Sequence, residues 1–237
     1  IVWAALLSPQ GKYLADFFVV RTGDGRLLID IASPLAADTL RRLTLYRLRA
    51  DVRIAPAPLH VLRGLGPAPA GALSDPRHPA LGYRQWSESP GTPPAIDWDA
   101  IRVAHLIPES GIELSPDETY ILEAGFERLH GVDFRKGCYV GQEVTARMKH
   151  KTELRKGLAR VAITGAADPG TQIAAGMHFV LLDPDGGYAA GEVASIEGIH
   201  RLPEWIAARF TPVPYPGAGR ASGPAHDETP THRRNSP

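Results

Sequence analysis

"ALLSPQGKYLADFFVVRTGDGRLLIDI", residues 5–31, alternates between two kinds of residue. Runs of β-branched, aliphatic and aromatic residues (Val2–Leu7, Tyr13–Arg21 and Arg26–Ile31) are cut by the turn formers of "SPQGK" and "TGDG". This pattern predicts a meander of three strands. Asp16 stands in the middle of "YLADFFVV", a position that disfavours a carboxylate. Strand alternation leaves two readings open, a solvent-facing residue or a site residue, and solvent is the simpler one.

Downstream, Ser33 and Pro34 supply an N-cap and a first-turn proline, and Leu35, Leu40, Leu43 and Leu48 follow at near-helical spacing. A helix is expected over 34–48, then strands at "ADVRIA" (50–55) and "LHVLRG" (59–64). Residues 64–96 are rich in Pro, Gly, Ala and Ser and read as a loop, interrupted by "DPRHPALGYR" at 75–84. Asp97 caps a helix running to about Leu106. "SPDE" at 115–118 has the form of a capping box, with Ser115 and Glu118 opening a short helix that ends near Gly125. A further helix starts at about Gly141, with Val144 and Met148 on one face.

After His150 the character changes. "LARVAI", "MHFVLL" and "YAAGEVASI" are strand candidates, and "DPDGG" is a turn between the last two. Residues 1–150 thus form one region and 151–200 a small β-barrel-like module. The polar tail, 211–237, has too little apolar content to fold and reads as disordered. The chain opens with Ile1 inside a strand-like run, which suggests a missing N-terminal part.

The 237 residues carry 26 basic and 26 acidic side chains, a balance that argues against a broad electrostatic nucleic-acid footprint. A single cysteine excludes an intrachain disulfide and an all-protein four-cysteine metal site, and it suits a reducing compartment. No apolar run approaches the roughly 20 residues of a membrane helix, and neither a Walker loop, an H-E-x-x-H nor a paired C-x-x-C is present. Nucleotide hydrolysis and zinc catalysis have no support.

That one cysteine, Cys138, lies in "RKGCYVGQE", residues 135–143. Arg135, Lys136 and a helix start at Gly141 are the features that lower a thiol pKa, while Gly137 and Gly141 permit a sharp turn and close backbone approach. The plainer reading is a small apolar residue packed behind a helix start. His130 and His150 lie eight and twelve positions away, too remote in sequence to suggest a Cys–His hydrolase. Glu123, in "YILEAGF", is either a surface residue at a helix end or a carboxylate able to hold two parallel N–H donors of an amino-heterocycle. His105 reads as a helix-end residue.

"KGCYVGQE" at 136–143 and "TAR" at 145–147 resemble the signature of the YgfZ-like folate-binding proteins. "ALLSPQGKYLADF", "DPRHPALGYR", "GIELSPDETYILEAGF" and "GVDF" match the same family in order, over roughly residues 2–197. The resemblance implies an α+β, GcvT-like aminomethyltransferase fold around a tetrahydrofolate pocket, closed by a small C-terminal β-barrel. The family's N-terminal strand and helix have no counterpart here. It also implies a folate-dependent role in assembling or repairing 4Fe–4S proteins, with iron–sulfur assembly proteins and client enzymes as partners. Direct binding to nucleic acid or membrane is not implied. Some bacterial members are linked to tRNA modification through such enzymes.

By resemblance Cys138 is the functional cysteine, and Lys136, Tyr139, Gly141, Gln142 and Glu143 complete its motif. Glu123 matches the residue expected to hold the pterin edge, Asp16 the carboxylate that works beside folate in aminomethyltransferases, and Arg147 a folate-tail or motif anchor. The compartment implied is a bacterial cytoplasm or a mitochondrial matrix. Two alternatives stand beside this reading: a folate-dependent one-carbon transferase using Asp16, and a non-catalytic interaction module with a vestigial pocket.

Overall fold

The computed structural model describes residues 1–151, 154, 157–162, 172–174, 177–182, 188–193 and 211–212. The opening meander forms as expected. Strands β1 (Val2–Leu7), β2 (Tyr13–Arg21) and β3 (Leu27–Ile31) pair antiparallel in chain order. In the β1–β2 turn the Ser8 hydroxyl accepts the Lys12 amide at 3.2 Å, and Gly11 adopts φ +75°. The register shifts between Leu6 and Leu7, so the buried face of β2 passes from Tyr13 and Ala15 to Asp16, Phe18 and Val20. Asp16 is therefore inside, 8% exposed, and the solvent reading of that carboxylate is overturned.

Helix α1 spans Ser33–Tyr46. Its N-cap is Ala32, with no side-chain cap, and Pro34 sits in the first turn, so Ser33 is not the expected cap. "ADVRIA" forms no strand and is mostly exposed, because no neighbouring edge pairs with it. Strand β4 (His60–Gly64) does form. The supposed loop of 64–96 contains β5 (Leu73–Ser74), a 3₁₀ turn (Pro79–Leu81) and β6 (Tyr83–Ser87), which build a second sheet ordered β4-β6-β5. Gly82 makes this possible. It takes φ +60°, and a Cβ there would stand 2.1 Å from the Gly64 carbonyl oxygen.

Helix α2 (Trp98–His105) is capped by Asp97, whose carboxylate accepts the Ala100 amide at 2.9 Å. The capping-box helix at 115–125 does not form; consecutive turns take its place. The reason is competition from the hairpin: Tyr13 donates its amide to Thr119 and its carbonyl accepts that of Asp117, at 2.9 and 2.8 Å. The Ser115 amide goes to the Thr119 hydroxyl at 3.0 Å, not to Glu118. Helix α3 spans Gln142–Lys151, as its sequence suggests.

Trp3, Leu7, Tyr13, Phe18, Leu81, Ile107, Leu114, Ile121, Phe126 and Leu129 form one core, with Trp3 stacked on Phe126 at 4.0 Å. Each such side chain stabilises the fold by roughly 1.5–3 kcal/mol. Strands β7 (Gly157–Ala162), β8 (Gln172–Ala174), β9 (Met177–Leu182), β10 (Tyr188–Val193) and β11 (Thr211–Pro212) form a five-stranded antiparallel sheet ordered β11-β7-β10-β9-β8. Thr211 and Pro212, the first two residues of the polar tail, pair with β7. The "DPDGG" turn, closure into a barrel and residues 213–237 lie outside the described residues. Among those residues no helix is long and apolar enough to cross a membrane.

Candidate functional site

The motif around Cys138 is built by its glycine. Gly141 takes φ +83°, and a Cβ there would stand 2.6 Å from the Ser8 carbonyl oxygen and 3.0 Å from the Gly11 Cα. Two glycines thus let the start of α3 press against the β1–β2 turn. This is the close backbone approach expected of the glycines beside the cysteine, and Gly141 makes it, whereas Gly137 meets nothing within 4 Å. The helix start is fixed further by Gln142, whose side-chain oxygen accepts the Tyr139 amide at 3.1 Å. Thr145 donates its amide and its hydroxyl to the Gly141 carbonyl, at 3.3 and 3.2 Å.

This packing leaves Cys138 exposed. The reading of a thiol packed away behind the helix start is overturned. Its neighbours are committed elsewhere: the Lys136 ammonium lies 4.1 Å over the Tyr139 ring, and Arg135 sits 3.8 Å from Asp133. Residues on both sides of the cysteine in sequence, Phe134, Lys136, Tyr139, Gln142, Glu143 and Ala146, line a cavity of about 440 Å³, whose wall does not include Cys138 itself. Burial pushes the Tyr139 phenol above its ordinary value, against a hydrogen bond with Thr145 that lowers it. Arg147 is not on this wall; it pairs with Glu143 at 3.1 Å on the exposed side of α3.

Asp16 belongs to a different cavity, of about 170 Å³, which Phe17, Phe18, Asp30, Arg63, Arg77, Arg84, Arg102, Glu109 and Ser110 help to line. Three neutral donors hold its carboxylate: Trp3 Nε1 and the Tyr13 hydroxyl, each at 2.8 Å, and the Ser110 hydroxyl. Burial, and then the adjacent Asp16 charge, push the Tyr13 phenol far above its usual value, so it serves as a fixed donor. Phe18 lies under two guanidiniums, Arg77 at 4.8 Å and Arg84 at 4.1 Å from its ring centre. Arg84 joins the two sheets by pairing with Asp30 at 2.7 Å, both side chains under 10% exposed. Burial alone would raise the Asp75 carboxyl, but hydrogen bonds and charge from Arg77 hold it below the ordinary range.

Glu123 is half-buried in the turn segment and lines neither cavity. The structure therefore separates the expected site residues into two groups: the cysteine motif, and Asp16 with four arginines. The arginines went unremarked as site residues. The legible signal was "DPRHPALGYR", which places Asp75, Arg77 and Arg84 together in a stretch otherwise resembling loop. Among the described residues no group of three or more His, Cys, Asp or Glu is arranged to hold a metal ion.

No protein-family model matches the chain. Among curated proteins it is similar to the "Iron-sulfur cluster assembly factor IBA57 homolog, mitochondrial" of Mycosarcoma maydis, 31% identical over 192 residues, covering 71% of this chain and 48% of the relative. The mouse protein named iron–sulfur cluster assembly factor IBA57, mitochondrial, is 29% identical over 69% of this chain and 54% of its own length. The human protein of the same name is 30% identical over 66% and 52%. The chain spans about half the length of the curated relatives it matches.

Proposed function

From its similarity to the IBA57 iron–sulfur cluster assembly factors, which it matches over about half of their length, we propose that this chain is a YgfZ-like, tetrahydrofolate-binding accessory protein for 4Fe–4S assembly or repair, acting through Cys138. The observation that carries this reading is the exposure of the chain's one thiol beside a cavity built from its own motif. A single thiolate cannot hold a cluster. Cys138 therefore acts with thiolates from a partner, which its exposure allows. The partners are iron–sulfur assembly proteins and client enzymes, and the compartment, for a eukaryotic source, is the mitochondrial matrix.

Tetrahydrofolate suits the motif cavity better than the Asp16 cavity. Sites for ligands of this size occupy roughly 300–1,000 Å³. The motif cavity, at about 440 Å³, falls within that range, and the Asp16 cavity, at about 170 Å³, does not. Phe134 offers a ring face for a heterocycle, Tyr139 a ring that Lys136 already covers on one side, and Gln142 and Glu143 offer polar atoms at its edge. When bound, the folate supplies one-carbon chemistry, while the chain's side chains bind and orient it. The transferase alternative gains less support, since the Asp16 carboxylate is already engaged by three side-chain donors of the chain itself.

Complementation tests the proposal. In cells lacking the corresponding assembly factor, the gene should restore 4Fe–4S enzyme activity, and its Cys138→Ser form should not, at equal protein level. Full restoration by Cys138→Ser rejects the role of the thiol.

A further inference from the structure

Three of the four arginines at the Asp16 cavity are matched by carboxylates. Arg77 holds Asp75 at 3.0 and 2.8 Å, Arg84 holds Asp30 at 2.7 Å, and Arg102 meets Glu109 at 2.7 Å and Glu113 at 3.0 Å. Arg63, on β4, makes no hydrogen bond or ion pair among the described residues. Its Nε and Nη2 are both buried without a partner, and its guanidinium lies 4.0 Å over the Trp98 ring. Burial, followed by repulsion from Arg84 and Arg77, pulls its pKa down to about 10, which leaves it charged at neutral pH. Asp75 and Glu109 offset part of that charge from a distance, but no carboxylate, Asp16 included, forms a hydrogen bond or ion pair with the Arg63 guanidinium among the described residues.

Arg63 is half-buried, and buried N–H donors without an acceptor are a standing cost unless something completes them. We propose that the cavity walled by β2, β3, β4 and β6 binds a small oxyanion, the carboxylate or phosphate group of a ligand, through the Arg63 guanidinium. The planar guanidinium fork matches both groups with two parallel bonds, and the Trp98 face holds it flat. A volume of about 170 Å³ suits a compact charged group. A cationic ligand would bring no acceptor for the unpartnered Nε and Nη2 of Arg63. The site lies outside the motif cavity and does not depend on the folate reading.

The test titrates the full chain with inorganic phosphate and, separately, with succinate, at ionic strength held constant with sodium chloride. Calorimetry and thermal unfolding are the readouts. At least one probe should bind saturably and raise Tm, and the responding probe identifies the group as phosphate or carboxylate. Arg63→Gln, which removes an unpaired charge and is expected to fold, should lower that affinity at least tenfold, and Arg63→Lys by less. A measurement on the unaltered chain stands beside this: saturating probe should slow modification of Arg63 by phenylglyoxal, mapped by peptide mass spectrometry, while leaving the exposed Arg135 unaffected. Failure of both probes to bind, binding unchanged in Arg63→Gln, or Arg63 modification indifferent to the probe would each overturn the proposal.

Discussion

Around Asp16 the chain buries most of its charges and uses some of them to tie separate elements together; around Cys138 it exposes them and pairs the motif's own charges with near neighbours. Arg84 reaches from β6 to Asp30 on β3, and Arg102 from α2 to Glu113, with each of these side chains less than 10% exposed. In the motif, Arg147 meets Glu143 four residues away and Arg135 meets Asp133 two residues away, all largely in solvent. Buried pairs cost much to break, whereas exposed pairs contribute at most about 1 kcal/mol. One region therefore supplies rigidity, and the other supplies reach. Substitutions in the first should act on stability, and those in the second on function.

The largest expected effect breaks the buried network. Arg84→Met leaves Asp30 without its ion pair and should lower unfolding free energy by about 3–5 kcal/mol in urea titration. A loss below about 1 kcal/mol would erase the contrast between the regions. Acid should weaken the same region in two steps. Burial, with the charges of His105 and Arg128, holds His78 below its ordinary value, so the unfolded chain takes up that proton first and stability falls as pH drops below about 6.5. Asp75 is held below the usual carboxylate range, so its contribution is present above about pH 4 and is lost as pH falls through its folded value. Urea midpoints measured against pH should fall in both windows, and His78→Gln should remove the first.

Gly141→Ala sharpens the comparison from the other side, since it strikes the one tightly packed point of the motif. Alanine would need φ +83° and would press on the Ser8 carbonyl, at a cost of about 1–3 kcal/mol. Arg63→Met should have the opposite sign. Losing a half-buried charge with two unpartnered donors should leave stability unchanged or raise it by about 1 kcal/mol, as expected where binding is kept at the expense of stability. Smallest of all, Cys138→Ser should change stability by less than about 0.5 kcal/mol.

What the sequence made legible was local. The meander, the Asp97 cap and α3 depend on turn formers, one carboxylate and a short helical run, all contained within their own segments. The capping box at Ser115 failed because a strand far away in sequence took the Asp117 amide. "ADVRIA" had the composition of a strand but no edge to join. The face of Asp16 depended on a register shift at Leu6 and Leu7, on the opposite strand, which alternation within β2 does not encode. The arginine cluster draws on β4, β6, α2 and the segment before the 3₁₀ turn, so only folding assembles it. The cysteine motif was readable because its residues are nearly consecutive; Glu123 was grouped with it by resemblance, and it lines neither cavity.

The claim on which the rest depends is that Cys138 stands open to solvent beside the cavity its motif forms. Its alkylation in the native chain, followed by mass spectrometry, should proceed within a few-fold of the rate in urea, and saturating tetrahydrofolate should slow it. A native thiol that reacts only after denaturation, or one whose rate ignores bound tetrahydrofolate, would contradict the account.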